Sequence, residues 1–160
     1  FGGLRASTAG KWVMAFGVLL GLQLTYGAFV AGLKAGMIFN TYPLMDGHFF
    51  PGAALEGAGS VWFAAVNISA LVQWIHRWLG ACVLLASLGL GWQLYRAQAR
   101  GYWLVPAATT AQFLLGVVTI LLFHKAAVHV SVTHQFGAVV LLTLLTLTAH
   151  RLAQANQVAR

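Results

Sequence analysis

Four stretches of this chain, at about 12–33, 69–95, 102–123 and 128–149, are apolar and almost free of charge. Each is long enough to cross a bilayer core of about 30 Å, which takes about 20 residues of helix. Of the whole sequence, 60% is hydrophobic and 7% is charged, against roughly 25% charged in soluble domains. That balance excludes a water-soluble fold. The expected architecture is an all-α integral membrane protein, a single domain over residues 1–160 built as a four-transmembrane-helix bundle.

The first run is rich in small residues, and Gly17 and Gly21 have the small-xxx-small spacing that allows close helix approach. Pro106 falls in the first turns of the third run, where proline is tolerated. The lone Cys82 lies mid-run and reads as a small buried filler. The only long connection is 34–68. It holds both acids of the chain, Asp46 and Glu56, and the turn-forming Asn40-Thr41-Tyr42-Pro43 and Asp46-Gly47. A connection of this length marks function more often than filler. Its apolar Val61-Trp62-Phe63 is expected at the membrane interface or against the bundle.

The formal charge of +7 is spread over nine basic residues. Arg5 and Lys11 precede the first run, Arg96 and Arg100 separate the second and third, and Arg151 and Arg160 follow the fourth. The long connection and the His124-Lys125 turn carry fewer. Both ends and the second connection are therefore expected in the cytoplasm, with the long loop outside. Topology and lipid headgroups account for the basic residues, and no nucleic-acid face is expected. No charged segment followed by a short apolar run and a cleavage site opens the chain, so no signal peptide is read.

His76 and Arg77 sit near the start of the second run, and His134 near the start of the fourth. Ionisable residues inside a membrane helix are costly and call for a named partner. In the expected topology these two helices run parallel, and at 1.5 Å rise per residue both imidazoles lie about 10 Å below the outer surface. Matched depth suits a haem held edge-on, each histidine giving one axial nitrogen to iron. Gly80 follows His76 by four residues, and Gly137 and Ala138 follow His134 by three and four, on the same helix faces. Small residues there leave room for a flat macrocycle, and Arg77 is placed to pair with a propionate. Either histidine alone reads by default as a polar group hydrogen-bonded to a neighbouring helix, and it is the matched pair with its small neighbours that favours ligation. His124 and His129 flank the outer turn and read as interfacial, with His129 also open to a substrate-edge role. His48 and His150 receive no role, and Gln112 and Thr109 are expected to bond between helices. No Ser-His-Asp set, carboxylate pair, phosphate loop or CxxC is present.

The segments Gly27-Ala28-Phe29-Val30-Ala31-Gly32-Leu33-Lys34-Ala35-Gly36 and Phe39-Asn40-Thr41-Tyr42-Pro43-Leu44-Met45-Asp46-Gly47 closely resemble the haem A synthase family. Val72-Gln73-Trp74-Ile75-His76-Arg77 and Thr133-His134-Gln135 resemble its later histidine motifs, so the likeness covers nearly the whole chain. The resemblance implies eight membrane helices built as two four-helix repeats, of which this chain, opening on Phe1 rather than Met, resembles the second. It implies a b-type haem with His76 and His134 as axial iron ligands, and Arg77 and Lys34 neutralising propionates. Residues 40–47 would cap the haem edge. Substrate haem O is expected in the other repeat, with its own histidine pair and a catalytic acid that has no counterpart here. The loop lacks the cysteine pair of some members.

The implied activity is oxidation of a haem O methyl group to a formyl, giving haem A for cytochrome oxidase in the bacterial inner membrane. Expected partners are membrane lipid, the missing half or a second copy, haem O synthase and cytochrome oxidase assembly factors. Two other readings remain open from the residues: a stand-alone bis-histidine b-type cytochrome carrying electrons, and a haem-free scaffold.

Overall fold

The computed structural model describes residues 7–56 and 59–158, without the side chains of 54, 124–127 and 156–158. Arg5, Arg160 and the side chains of His124 and Lys125, which entered the topology reading, lie outside the described residues.

Helix α1, Thr8–Gly32, starts where the Ser7 hydroxyl accepts the Gly10 N–H at 3.1 Å, satisfying a donor that the first turn leaves free. It stops ahead of Lys34, whose backbone is left-handed at φ 52°. After the loop comes a short helix α2, Val61–Asn67, capped in the same way by Ser60. Then follow α3, Ser69–Arg96, α4, Leu104–Leu121, and α5, Phe123–Val158. Pro106 is the third residue of α4, where its missing N–H costs nothing. Only Leu122 separates α4 from α5. The expected turn at 124–127 is helical instead, because no glycine or proline between Phe123 and Val128 interrupts the helix.

Among the described residues, four helical segments are long and apolar enough to span a membrane: Thr8–Gly32, Ser69–Arg96, Leu104–Leu121 and Val128–Ala155. They form a ring in which α1 and α4 each pack against both α3 and α5, so α3 and α5 face each other across the diagonal. The protein is a four-helix membrane bundle. Its apolar core fills the half farther from the loop, with Val13, Phe16 and Leu20 of α1 meeting Val83, Leu90 and Leu94 of α3 and Leu141 and Leu145 of α5. There α3 closes tightly on its neighbours. A Cβ on Gly89 would lie 2.8 Å from the Trp12 ring, and one on Gly91 would meet the Pro106 ring.

Two local expectations change. Gly17 faces Leu145 of α5, but Gly21 has nothing within 4 Å of where its Cβ would be, so the small-xxx-small pair does not seat a helix of this bundle. Cys82 is exposed rather than buried. The inward face of α3 passes through Arg77, Val83, Ser87 and Leu90, and Cys82 lies off that stripe. In α2, Ala64 packs inward while Trp62 is 85% exposed, the placement of an interfacial helix.

The loop folds down onto the bundle. Trp74 donates to the Phe49 carbonyl at 2.8 Å, and Asn40 donates to the Gly36 and Ile120 carbonyls. Phe49 and Phe50 stack edge-on against Trp74. The Met45 and His48 backbones pair with each other, and Met45 is fully buried.

Candidate functional site

Between the loop and the apolar core the bundle interior turns polar. His76 comes from α3 and His134 from the diagonal helix α5, both half-buried. Each imidazole is met by one glutamine and one glycine from a neighbouring helix, α1 for His76 and α4 for His134. Gln23 of α1 donates from Nε2 to the His76 carbonyl at 3.2 Å, and the same atom lies 3.4 Å from His76 Nε2. Gln112 of α4 donates to the His134 carbonyl at 2.8 Å and lies 3.1 Å from His134 Nδ1. A Cβ on Gly27 would sit 3.3 Å from His76 Cε1, and one on Gly116 would sit 3.0 Å from His134 Cε1. Gly80 and Gly137, after the histidines, lie instead against Gln23 and Gln112. The glycines noted for leaving space beside the histidines thus make space for the glutamines.

Arg77 is 6% exposed. Its guanidinium donates to the carbonyls of Phe39 at 2.7 Å, Thr41 at 2.6 Å and Leu44 at 3.2 Å, drawing the loop over the end of the bundle that holds the histidines. Gln73 adds a bond to the Phe39 carbonyl at 3.0 Å. Buried and without a hydrogen-bond partner among the described residues are His76 Nδ1, Arg77 Nε, and the Oε1 atoms of Gln23 and Gln73. Lys34 is exposed at the loop end of α1.

The other candidates fall outside. His48 is exposed, with Nδ1 3.1 Å from the Asp46 carbonyl, and His129 and His150 are exposed on α5. Thr109 bonds the Val105 carbonyl of its own helix rather than a neighbour, while Gln112 does bridge helices. Gln23 was missed in the sequence. The available signal was a polar residue in an apolar run four positions ahead of a glycine, the spacing that recurs at Gln112 and Gly116.

A family model for the COX15-CtaA cytochrome oxidase assembly proteins matches residues 4–146. The chain belongs to this family. It is similar to the haem A synthase of Rhodospirillum centenum, 40% identical over 139 residues, covering 84% of this chain and 36% of the relative. The corresponding protein of Maricaulis maris is 37% identical over 145 residues, covering 88% and 40%. That of Sphingopyxis alaskensis is 36% identical over 151 residues, covering 90% and 41%. The chain therefore spans between 36% and 41% of the length of these relatives. No solved structure matches it.

Membership of this family implies haem, and the donor set can be tested against one. Among the described residues no group of three His, Cys, Asp or Glu side chains converges. Two imidazoles alone are a poor cage for a bare ion but suffice for iron that already has four equatorial nitrogens. The buried, unpartnered His76 Nδ1 agrees with a ligand entering beside that ring. The residues fit.

Proposed function

We propose that this chain is the haem b-binding half of a haem A synthase, with His76 and His134 as the axial ligands. The observation that carries the reading is the diagonal pair of imidazoles, each flanked by a glycine of the neighbouring helix, in the half of the bundle that the apolar core does not fill. A haem bound there would supply one-electron transfer. Around it, Gln23 and Gln112 hold the ligand helices in register through the histidine carbonyls, and the loop held by Arg77 and Gln73 excludes water from above. Lys34, and Arg77 through its unpartnered Nε, supply positive charge toward propionates at the loop side.

The activity proposed for the whole protein is oxidation of the haem O methyl group to a formyl, giving haem A for cytochrome oxidase. Haem O itself would bind in the part of the relatives' length that this chain does not span, or in a second copy. The setting is the bacterial inner membrane, with both ends of the bundle cytoplasmic and the loop outside, as the basic residues at Lys11, Arg96, Arg100 and Arg151 favour. Haem O synthase and cytochrome oxidase assembly factors are the partners this role calls for.

The test is a reduced-minus-oxidised absorption spectrum of the detergent-purified protein beside His76→Ala and His134→Ala. A low-spin b-type spectrum lost in both variants is expected. A spectrum indifferent to either substitution overturns the ligand assignment, and a bound haem without methyl oxidation in the complete protein would favour a plain electron carrier.

A further inference from the structure

The contacts around His76 and His134 are one device built twice. In each, a glutamine precedes a glycine by four residues on one helix, Gln23 and Gly27 or Gln112 and Gly116. On the neighbouring helix a histidine precedes a second glycine, His76 and Gly80 or His134 and Gly137. The first glycine opens space for the imidazole and the second opens space for the carboxamide. The carboxamide nitrogen reaches both the backbone carbonyl and the ring of its histidine. The α1–α3 and α4–α5 pairs therefore present the same four residue types from opposite sides of the bundle, with Gln23 facing Nε2 of His76 and Gln112 facing Nδ1 of His134.

A helix-register contact would need only the bond to the carbonyl. The same nitrogen also approaches the ring, and the second glycine prevents a side chain from pushing the amide away. At Gly80 a Cβ would come within 3.2 Å of Gln23 Nε2, and at Gly137 it would collide with Gln112 Oε1. A group bonded to a metal-ligating histidine orients the ring and tunes the metal; with iron on the opposite ring nitrogen, the nitrogen facing the glutamine would carry the proton and the carboxamide would meet it through Oε1. We infer that Gln23 and Gln112 are positioning residues that set the planes of the two imidazoles, and through them the mutual angle at which the pair presents itself to a ligand. The inference rests on the haem reading for its consequence, though not for its geometry.

Two experiments separate it from that reading. In the haem-loaded protein, the largest g value of the low-spin ferric signal depends on the angle between two axial imidazole planes. Gln23→Met and Gln112→Met keep the length of the side chain and remove its carboxamide, and each is expected to shift that g value and the midpoint potential with haem retained. Gly80→Ala, which leaves Gln23 in place but presses on its amide, is expected to shift the signal in the same sense. Combined with Gln23→Met it should add little, since both act through one group. In the haem-free protein, the ¹⁵N chemical shifts of the ring nitrogens of His76 and His134 should move in the matching glutamine variant and stay put in the other. Unchanged g value and unchanged ring shifts overturn the inference, even if stability or haem content falls, because that result describes a purely structural contact. Absence of haem from the wild-type protein with ring shifts that do respond would remove the haem reading and leave the positioning role standing.

Discussion

Arg77→Met removes the guanidinium that draws the loop onto the bundle while keeping most of its apolar stem. The side chain makes three bonds to loop carbonyls, and a hydrogen bond to a charged group contributes about 1.5–3 kcal/mol. The loss is smaller than three such bonds. The Phe39 carbonyl keeps the Gln73 donor and the Leu44 carbonyl keeps the Thr41 hydroxyl, so only the Thr41 carbonyl loses the sole donor described for it. Removing a nearly buried cation also removes its desolvation cost, which offsets part of the loss. The net effect is about 3 kcal/mol on loop closure, on the order of 100-fold in its opening equilibrium. Amide hydrogen exchange reads this directly. The Met45 and His48 N–H groups bond each other's carbonyls, and the Asp46 N–H bonds the Thr41 hydroxyl, all inside the loop. These three amides should exchange faster together, while amides of α3 below Gly80 keep their protection. Arg77→Lys should fall between, since an ammonium cannot fork to separated carbonyls. Exchange of the loop amides within about threefold of wild type would refute the reasoning, because the loop would then be held without the guanidinium.

Gly91→Ala should destabilise the bundle by about 1–3 kcal/mol through overpacking, because the added methyl collides with the ring of Pro106 where α3 meets α4. Gly21→Ala, with open space around it, should be neutral or slightly stabilising, and thermal melts in one detergent compare the two. Cys82, exposed near the middle of a spanning helix, should resist both permeant and impermeant maleimides in the folded protein, because its thiolate does not form in hydrocarbon, and should react once the protein is denatured in SDS; labelling by the impermeant reagent before denaturation would place it in water.

Much of the fold was legible because the bilayer imposes a length. An apolar run near twenty residues has few alternatives to a spanning helix, and all four expected runs correspond to spanning segments. Boundaries were less legible. The turn before α5 was placed where polar His124-Lys125 suggested it, whereas the chain reverses at Leu122 among apolar residues. The histidines stood out because an imidazole in hydrocarbon needs a reason. Gln23 did not, because an uncharged amide is tolerated in a membrane helix and its reason lies on a helix more than fifty positions away.

The sequence by itself determined the number and approximate place of the spans, the loop that joins the first two, and which ionisable residues enter the membrane. Those follow from local composition and the fixed thickness of the bilayer. Only the tertiary structure decided that α3 and α5 stand on the diagonal, that Cys82 faces outward, and that Arg77 is occupied by loop carbonyls. It also decided that each histidine is held by a glutamine from its neighbour. Each of these depends on the rotation of one helix against another, which is set by packing between residues distant in sequence, such as Gly91 on Pro106 and Gly89 on Trp12.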